Sequence, residues 1–245
     1  MSVHRFHLPA AGPGLATLPE SARNHATRVL RLSEGDTLRV FDAGREFNAT
    51  IVSMSKTGVK VEVGEAFAPL PERTARIHLV MSPLKGDLTE LVIQKATELG
   101  VSRISPVVFE RTDTVARRDP GEARLERWRR VAISAAEQCG RAVVPGVDPF
   151  ATLKGFVAGL RPPANDELRV MAAEPSLGLG NPPRPAQVNI SSILVAVGPS
   201  GGLSAEDIAL LGAAGFRAER IATHTLRSET ACIAALAILG ARYDA

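Results

Sequence analysis

The chain has 245 residues, 45% of them hydrophobic and 22% charged, which is ordinary globular usage and excludes a disordered, collagenous or extended coiled-coil protein. Lys and Arg number 29 against 26 acids, and the resulting net charge of +3 is too small to coat the molecule with positive potential. Two cysteines, Cys139 and Cys232, cannot frame a disulfide scaffold, no run of about 18 apolar residues exists, and His4, Arg5 and His7 stand where a signal peptide needs its apolar segment. A cytoplasmic protein with no membrane attachment is expected.

In chain order, Pro19-Glu20-Ser21 opens a helix expected to reach Leu32, where Ser33-Glu34-Gly35-Asp36 stops it. Residues 37–41, 47–54 and 59–63 run apolar and β-branched. They are separated by Asp42-Ala43-Gly44 and Lys56-Thr57-Gly58, which is hairpin-turn chemistry, so a small barrel or curled sheet is expected. Pro69 and Pro71 mark residues 66–74 as a linker, because proline cannot donate to a central ladder. Two domains are expected, 1–70 and 74–245.

Beyond the linker, strand and helix patterns alternate. Residues 77–81, 104–109, 168–172 and 193–197 are buried-type strands. Residues 87–99 place Leu88, Leu91, Val92, Lys95, Ala96 and Leu99 on one helical stripe closed by Gly100, and residues 122–139 point Leu125, Trp128, Ala132, Ala135 and Cys139 inward. Residues 176–185 read as a Pro/Gly-rich loop, and 204–211 and 228–239 as the last helices. This alternation implies an α/β domain with a mostly parallel sheet covered on both faces.

The most informative local feature is the glycine-rich turn Gly198-Pro199-Ser200-Gly201-Gly202-Leu203, which follows a buried strand and precedes a helix. It lies where α/β proteins bind ligands. It lacks the Gly-Lys-Ser/Thr ending of a phosphate loop and the spacing of a dinucleotide fingerprint, so a tight turn and a ligand-binding loop both fit it. Ser204 with Asp207 resembles a capping box. Leu226-Arg227-Ser228-Glu229-Thr230-Ala231 again joins strand to helix. Ser228 suits an N-cap and Glu229 complements the helix dipole, whereas Arg227 has no such explanation. Glu137-Gln138-Cys139-Gly140-Arg141 ends an amphipathic helix, and a solvated helix end accounts for it equally well.

Charge is uneven: residues 111–145 hold eight arginines, no lysine and five acids, while the remaining stretches lie within one charge of neutrality. Pairs such as Glu126 with Arg130 would make most of that window a solvated helix face. The five histidines lack metal-ligand spacing, no Gly-x-Ser-x-Gly nucleophile elbow occurs, and the cysteines fit small core positions, so neither a metal nor a covalent nucleophile is expected.

Taken together, these segments resemble the RsmE-type methyltransferases of small-subunit ribosomal RNA, members of the SPOUT class. The resemblance runs over essentially the whole chain, through Arg28-Val29-Leu30-Arg31 with Gly35-Asp36, the segment from Ile93-Gln94-Lys95-Ala96-Thr97-Glu98 to Val101, Glu110-Arg111, Trp128, Glu137 to Arg141, Val144-Pro145, the Gly198 turn, and Leu226 to Ala231. It implies an N-terminal PUA-like β-barrel followed by a SPOUT α/β domain with a deep trefoil knot. The activity implied is methyl transfer from S-adenosylmethionine to N3 of a uridine in the decoding region of 16S rRNA, within the small ribosomal subunit. The partners implied are that RNA and a second copy of the chain, a homodimer through knot helices including the one from Ser228, with no role for DNA.

Carried over, the cofactor lies among three loops, residues 171–175, 198–203 and 222–228. Met171, Ala172, Ala173, Gly198, Pro199, Gly201, Gly202, Leu203, Ala222, Leu226 and Ser228 are the expected contacts. Ser200 stands where the family usually has glutamate, Ala222 and His224 where it has Gly and Arg, and Leu88-Thr89 departs from a common basic and apolar pair. Because uracil N3 carries a proton, a general base is required, and Glu137 and Glu229 are the candidates, with Arg111 or Arg227 stabilising negative charge on a uracil carbonyl. Arg5, Arg28, Arg31, Arg111 and Arg141 are the expected RNA contacts. A noncatalytic RNA-binding or ribosome-assembly factor keeping the same fold is the alternative, and a small-molecule α/β enzyme a third reading.

Overall fold

A computed structural model describes residues 3–55, 57–118, 121–174 and 189–243. Their contacts group into two units, Met1–Glu72 with Ile133–Val144, and Arg73–Ala132 with Pro145–Ala245. The loop expected at 176–185 lies outside the described residues.

In the first unit, strands β1 (Arg5–His7), β2 (Gly14–Thr17), β3 (Thr37–Asp42), β4 (Arg45–Met54) and β5 (Val59–Phe67) form a sheet in the order β1-β3-β4-β5-β2. Only β1 with β3 is parallel. The β3–β4 hairpin sets the register: Ala43 and Gly44 take φ of 47° and 76°, the doubly left-handed turn whose twist matches flanking strands, and Asp42 pairs with Arg45. Register shifts between Phe47/Ala49 and Ile51/Ser53 bend β4 against β5 and curl the sheet. Phe47, Ala49 and Ile51 then meet Val59, Val61 and Val63 in a core completed by Phe6, Leu38 and Val40.

The helix expected over 19–32 is shorter and changes pitch: α1 spans Glu20–Asn24 and a π-helical turn follows at His25–Val29. Thr27 Oγ1 donates back to the Arg23 carbonyl at 2.9 Å, a bond that bends a helix, and the left-handed Arg31 (φ 53°) ends it.

The end of helix α3 (Gly121–Cys139) is fastened within this unit by Arg5. Its guanidinium grips Glu46 at 2.8 and 3.1 Å and donates to the carbonyls of Ala136, Glu137 and Arg141 at 3.0, 3.2 and 3.1 Å, over the ring of Phe41. The orphan carbonyls of a helix C-terminus are thereby capped by a cation.

The second unit contains β6 (Arg76–Met81), α2 (Leu88–Glu98), β7 (Val101–Val108), β8 (Gly146–Val147), β9 (Ala151–Thr152), α4 (Leu153–Ala158), β10 (Glu167–Ala173), β11 (Ser192–Val197), α5 (Ala205–Ala213), β12 (Arg217–Arg220) and α6 (Ser228–Tyr243). The sheet order is β12-β10-β11-β6-β7-β8, with β9 also on β7, and every pairing is parallel. Near-continuous apolar runs in β6, β7, β10 and β11 are what strands covered on both faces require.

Two polar devices set the helices. Thr89 is wholly buried; its hydroxyl accepts from Leu84 N at 2.8 Å and donates to Leu84 O at 3.1 Å, closing the turn before α2. Arg73 donates to the Leu99 carbonyl at the end of α2 (2.9 Å), and its side chain fills the space that a Cβ would need at Gly100 and at Gly240 of α6.

Candidate active site

Strands β12, β10 and β11 are neighbours in that order, and the loops leaving their carboxyl ends enclose a cleft of about 540 Å³, counted to its open mouth. Ala172, Ala173 and Glu174 come from β10 and its exit, Val197, Gly198, Pro199, Gly202 and Leu203 from β11 and its exit. Ile221, Ala222, His224, Thr225 and Leu226 follow β12, and Ser228 and Ala231 belong to the first turn of α6. This is the carboxyl-end position at which parallel sheets bind ligands.

The glycines have specific reasons to be there. A Cβ on Gly198 would fall 2.8 Å from Leu203 Cδ2, so its absence lets Leu203 fold back over the turn. Gly202 has φ of 73° and its missing Cβ leaves room for the Glu174 carboxylate. Beyond the turn, α5 opens with a complete capping box: Ser204 Oγ accepts from Asp207 N at 3.0 Å, and Asp207 Oδ2 accepts from Ser204 N at 3.1 Å. The other oxygen of the buried Asp207 accepts from Glu110 N at 3.2 Å, which fixes the segment carrying Arg111. Arg111 is exposed, lies against Gly201, and donates from Nη1 to the Gly201 carbonyl at 3.3 Å.

At the third loop, Ala231 N donates to the Arg227 carbonyl at 2.8 Å, so Arg227, not Ser228, takes the N-cap position of α6 and Ser228 is buried against the cleft. The Arg227 side chain is exposed and Glu229 half-buried. Cys232 is buried one turn on, where desolvation, and then the nearby Glu229 charge, push its thiol pKa up and keep it protonated.

Of the expected cofactor contacts, Ala172, Ala173, Gly198, Pro199, Gly202, Leu203, Ala222, Leu226 and Ser228 line the cleft. Met171 points into the sheet's core, and Gly201 faces Arg111. Val197, Glu174, Ile221, His224, Thr225 and Ala231 also line it. Ala231 was findable from spacing, since it lies three residues after Ser228 on one helix face. Ser200 is exposed on the turn.

Among the expected catalytic groups, Arg227 and Glu229 flank cleft-lining Ser228 without lining the cleft themselves, and Arg111 lies on the segment after β7, against Gly201. Glu137 belongs to the first unit, where its carboxylate accepts from His7 N at 3.0 Å; burial raises its pKa, against the His7 hydrogen bond and the Arg5 charge. Among the expected RNA contacts, Arg5 is held as described and Arg141 is buried on Glu72, at 3.1 Å from Nε. Arg28 and Arg31 are exposed. In the arginine window, Arg129 rather than Arg130 engages Glu126, together with Glu122 at 3.2 Å, and Arg127 pairs with Glu90 at 2.8 Å.

Residues 71–240 match the family model described as an RNA methyltransferase domain, and residues 18–64 that of an RNA methyltransferase PUA domain. Ribosomal RNA small subunit methyltransferase E of Synechocystis sp. is 31% identical over 229 residues, 92% of this chain and 72% of that protein, and its namesake from Bacillus subtilis is 30% identical over 224 residues, 88% and 86%. Among solved structures, a putative methyltransferase from Legionella pneumophila in complex with SAM superposes with a TM-score of 0.88 at 30% identity, over 99% of this chain and 98% of that one. Ribosomal RNA small subunit methyltransferase E from Neisseria gonorrhoeae, bound to S-adenosyl methionine, gives 0.84 at 28% identity over the same shares. With one RNA methyltransferase model spanning most of its second unit, a PUA model in its first, and these relatives along nearly its full length, the chain belongs to the ribosomal RNA small subunit methyltransferase E family.

Proposed function

We propose that this protein transfers the methyl group of S-adenosylmethionine to N3 of a uridine in the decoding region of 16S rRNA, acting on the small ribosomal subunit in the cytoplasm. The observation that carries the reading is the cleft beyond β10, β11 and β12, in a chain whose structural neighbours hold that cofactor. Its lining suits the group: Leu203, Ile221, Leu226 and several alanines offer apolar walls, the Gly198 turn admits close backbone approach, and Glu174, Thr225 and Ser228 supply a few polar contacts. The reading as a noncatalytic assembly factor leaves this cleft without a role.

When bound, S-adenosylmethionine supplies a methyl group already activated as a sulfonium. The N3 proton of uracil, flanked by two carbonyls, has to leave as the methyl arrives. Glu229, one residue past cleft-lining Ser228, takes that proton, a role worth about 10²–10⁴ in rate. Arg111, on the segment after β7 and against Gly201 of the second loop, and Arg227, on the third loop, stabilise the negative charge that develops on a uracil carbonyl oxygen. Glu137, engaged by His7, holds the first unit together instead. The target base must be splayed out, because pairing hides N3.

RNA contact outside the cleft falls to Arg28 and Arg31, which flank a Val29 that is 67% exposed, since Arg5 and Arg141 are engaged internally. Helix α6 is apolar on more than its buried face: Ile233, Ala234, Ala237 and Ile238 remain half-exposed, and α2, packed against it, exposes Leu88 and Leu91. A helix apolar all round needs cover on both sides, which supports a homodimer through this surface.

The test is incubation with undermethylated small subunits and methyl-labelled cofactor, followed by RNA mass spectrometry. Label at N3 of one uridine is expected; absence of label from the RNA overturns the reading. In the same assay Glu229→Gln keeps cofactor affinity and loses turnover, and unchanged turnover removes Glu229 as the base. Arg28→Glu with Arg31→Glu weakens subunit binding and spares cofactor binding.

A further inference from the structure

Among the described residues that line the cleft, Glu174 is the single acid, and it stands one residue beyond β10. Its position is set by the glycine turn opposite. A Cβ on Gly202 would fall 3.2 Å from Glu174 Cδ and closer still to its Oε1, so the carboxylate fills the room the glycine leaves. The preceding residue, Gly201, is packed in the same manner by Arg111, whose Cβ lies 3.2 Å from where a Gly201 Cβ would be. Gly202 is buried and Gly201 exposed. Two consecutive glycines therefore hold a carboxylate on the cleft flank of the turn and an arginine on its open flank.

We propose that Glu174 is a specificity-determining residue: its carboxylate reads the positive charge at the cofactor sulfur, so that the cleft holds the methyl donor in preference to the demethylated product. The inference rests on the function proposed above. In the transfer, the sulfur–methyl bond breaks with its electron pair left on sulfur, the N3–methyl bond forms, and the N3 proton passes to the base. Sulfur goes from a cation to a neutral thioether while every other group of the ligand is unchanged. A carboxylate facing the sulfur would attract the first form and not the second, which favours donor binding and speeds release of the spent product.

Calorimetry on the full chain tests this with S-adenosylmethionine, S-adenosylhomocysteine and an analogue that carries an amine in place of the sulfonium. Glu174→Gln is expected to weaken S-adenosylmethionine and the cationic analogue about tenfold and S-adenosylhomocysteine less than about twofold, on the scale where tenfold is about 1.4 kcal/mol. Glu174→Asp, which keeps the charge, retains most of the discrimination and guards against a folding effect. Equal weakening of all three ligands, or none, overturns the inference while leaving the proposed function standing. Failure of the unaltered protein to bind any of them removes both.

Discussion

His78 of β6 is a titratable ring in a closed setting. Its Nε2 lies 2.7 Å from Ser105 Oγ and 3.9 Å from Asp148 Oδ2, with Phe156 edge-on at 5.9 Å between centroids and Arg103 bound to the same Asp148 at 2.8 Å. Burial, then the Arg103 charge, push its pKa down from 6.5 to about 4, outweighing Asp148 and Glu167, which pull it up. The unfolded chain takes up this proton near pH 6.5 and the folded chain only near pH 4. The ring's contribution to stability is therefore complete above pH 6.5 and lost as the pH falls towards 4, amounting to about 3 kcal/mol. Glu137 works the other way: burial raises its pKa, and its contribution declines as the pH rises through the ordinary carboxylate range. The informative measurement is therefore the difference between the protein and His78→Gln in urea titrations at pH 4 and 6.5. The protein should lose about 3 kcal/mol more than the variant, and parallel losses would remove the assignment. None of this is visible in the sequence, where His78 is one apolar-strand histidine; the ring packed against it, Phe156, and the charges that oppose each other on it, Arg103 and Asp148, come from distant parts of the chain.

At the level of elements, α5 depends on a single side chain for two connections. Asp207→Ala frees the Ser204 amide, which is the reciprocal half of the capping box, and releases Glu110, so a loss of about 2–3 kcal/mol in urea unfolding is expected, against about 1 kcal/mol for Ser204→Ala. A smaller loss for Asp207→Ala than for Ser204→Ala would mean that Glu110 is held otherwise. The capping box was legible because it is local, three residues apart; the bond to Glu110 joins positions 97 apart and was not. The same division runs through the fold. The apolar strands β6, β7, β10 and β11 and helices α2, α3, α5 and α6 declare themselves by period. In contrast β12, Arg-Ala-Glu-Arg, carries charges neutralised only by partners such as Arg242 on Glu219, and β8 and β9 have two residues each. The helical stretch ends short of Leu32 because Arg31 takes a left-handed φ, and neither that nor the change to π pitch at His25 is written in a hydrophobic pattern. In the cleft, the glycine turn was legible, whereas Glu174 was one loop residue among several until Gly202 gave it a place.

For the whole molecule, the small net charge conceals how differently its arginines are employed. Within 111–145, Arg127 and Arg129 are tied to acids, Arg117 donates to the carbonyls of Phe109 and Thr112, and Arg141 is buried on Glu72, so the window is not one RNA-binding patch. Arg111 is the member placed beside the cleft. The apolar strip on α2 and α6 carries the expectation of assembly: sedimentation should give a dimer, and Leu91→Glu should shift it to monomer with its helical content retained. A protein that sediments as a monomer before substitution would overturn the interface. Arg73 has a consequence of another kind. Its guanidinium lies within 2.7 Å of the Cβ position at Gly100 and 2.6 Å of that at Gly240, while Nε holds the end of α2. One residue thus reaches two places far apart in the chain and couples them: a side chain at Gly240 needs the Arg73 guanidinium to swing aside, which loosens its hold on the end of α2, so substitutions at the two positions should not simply add.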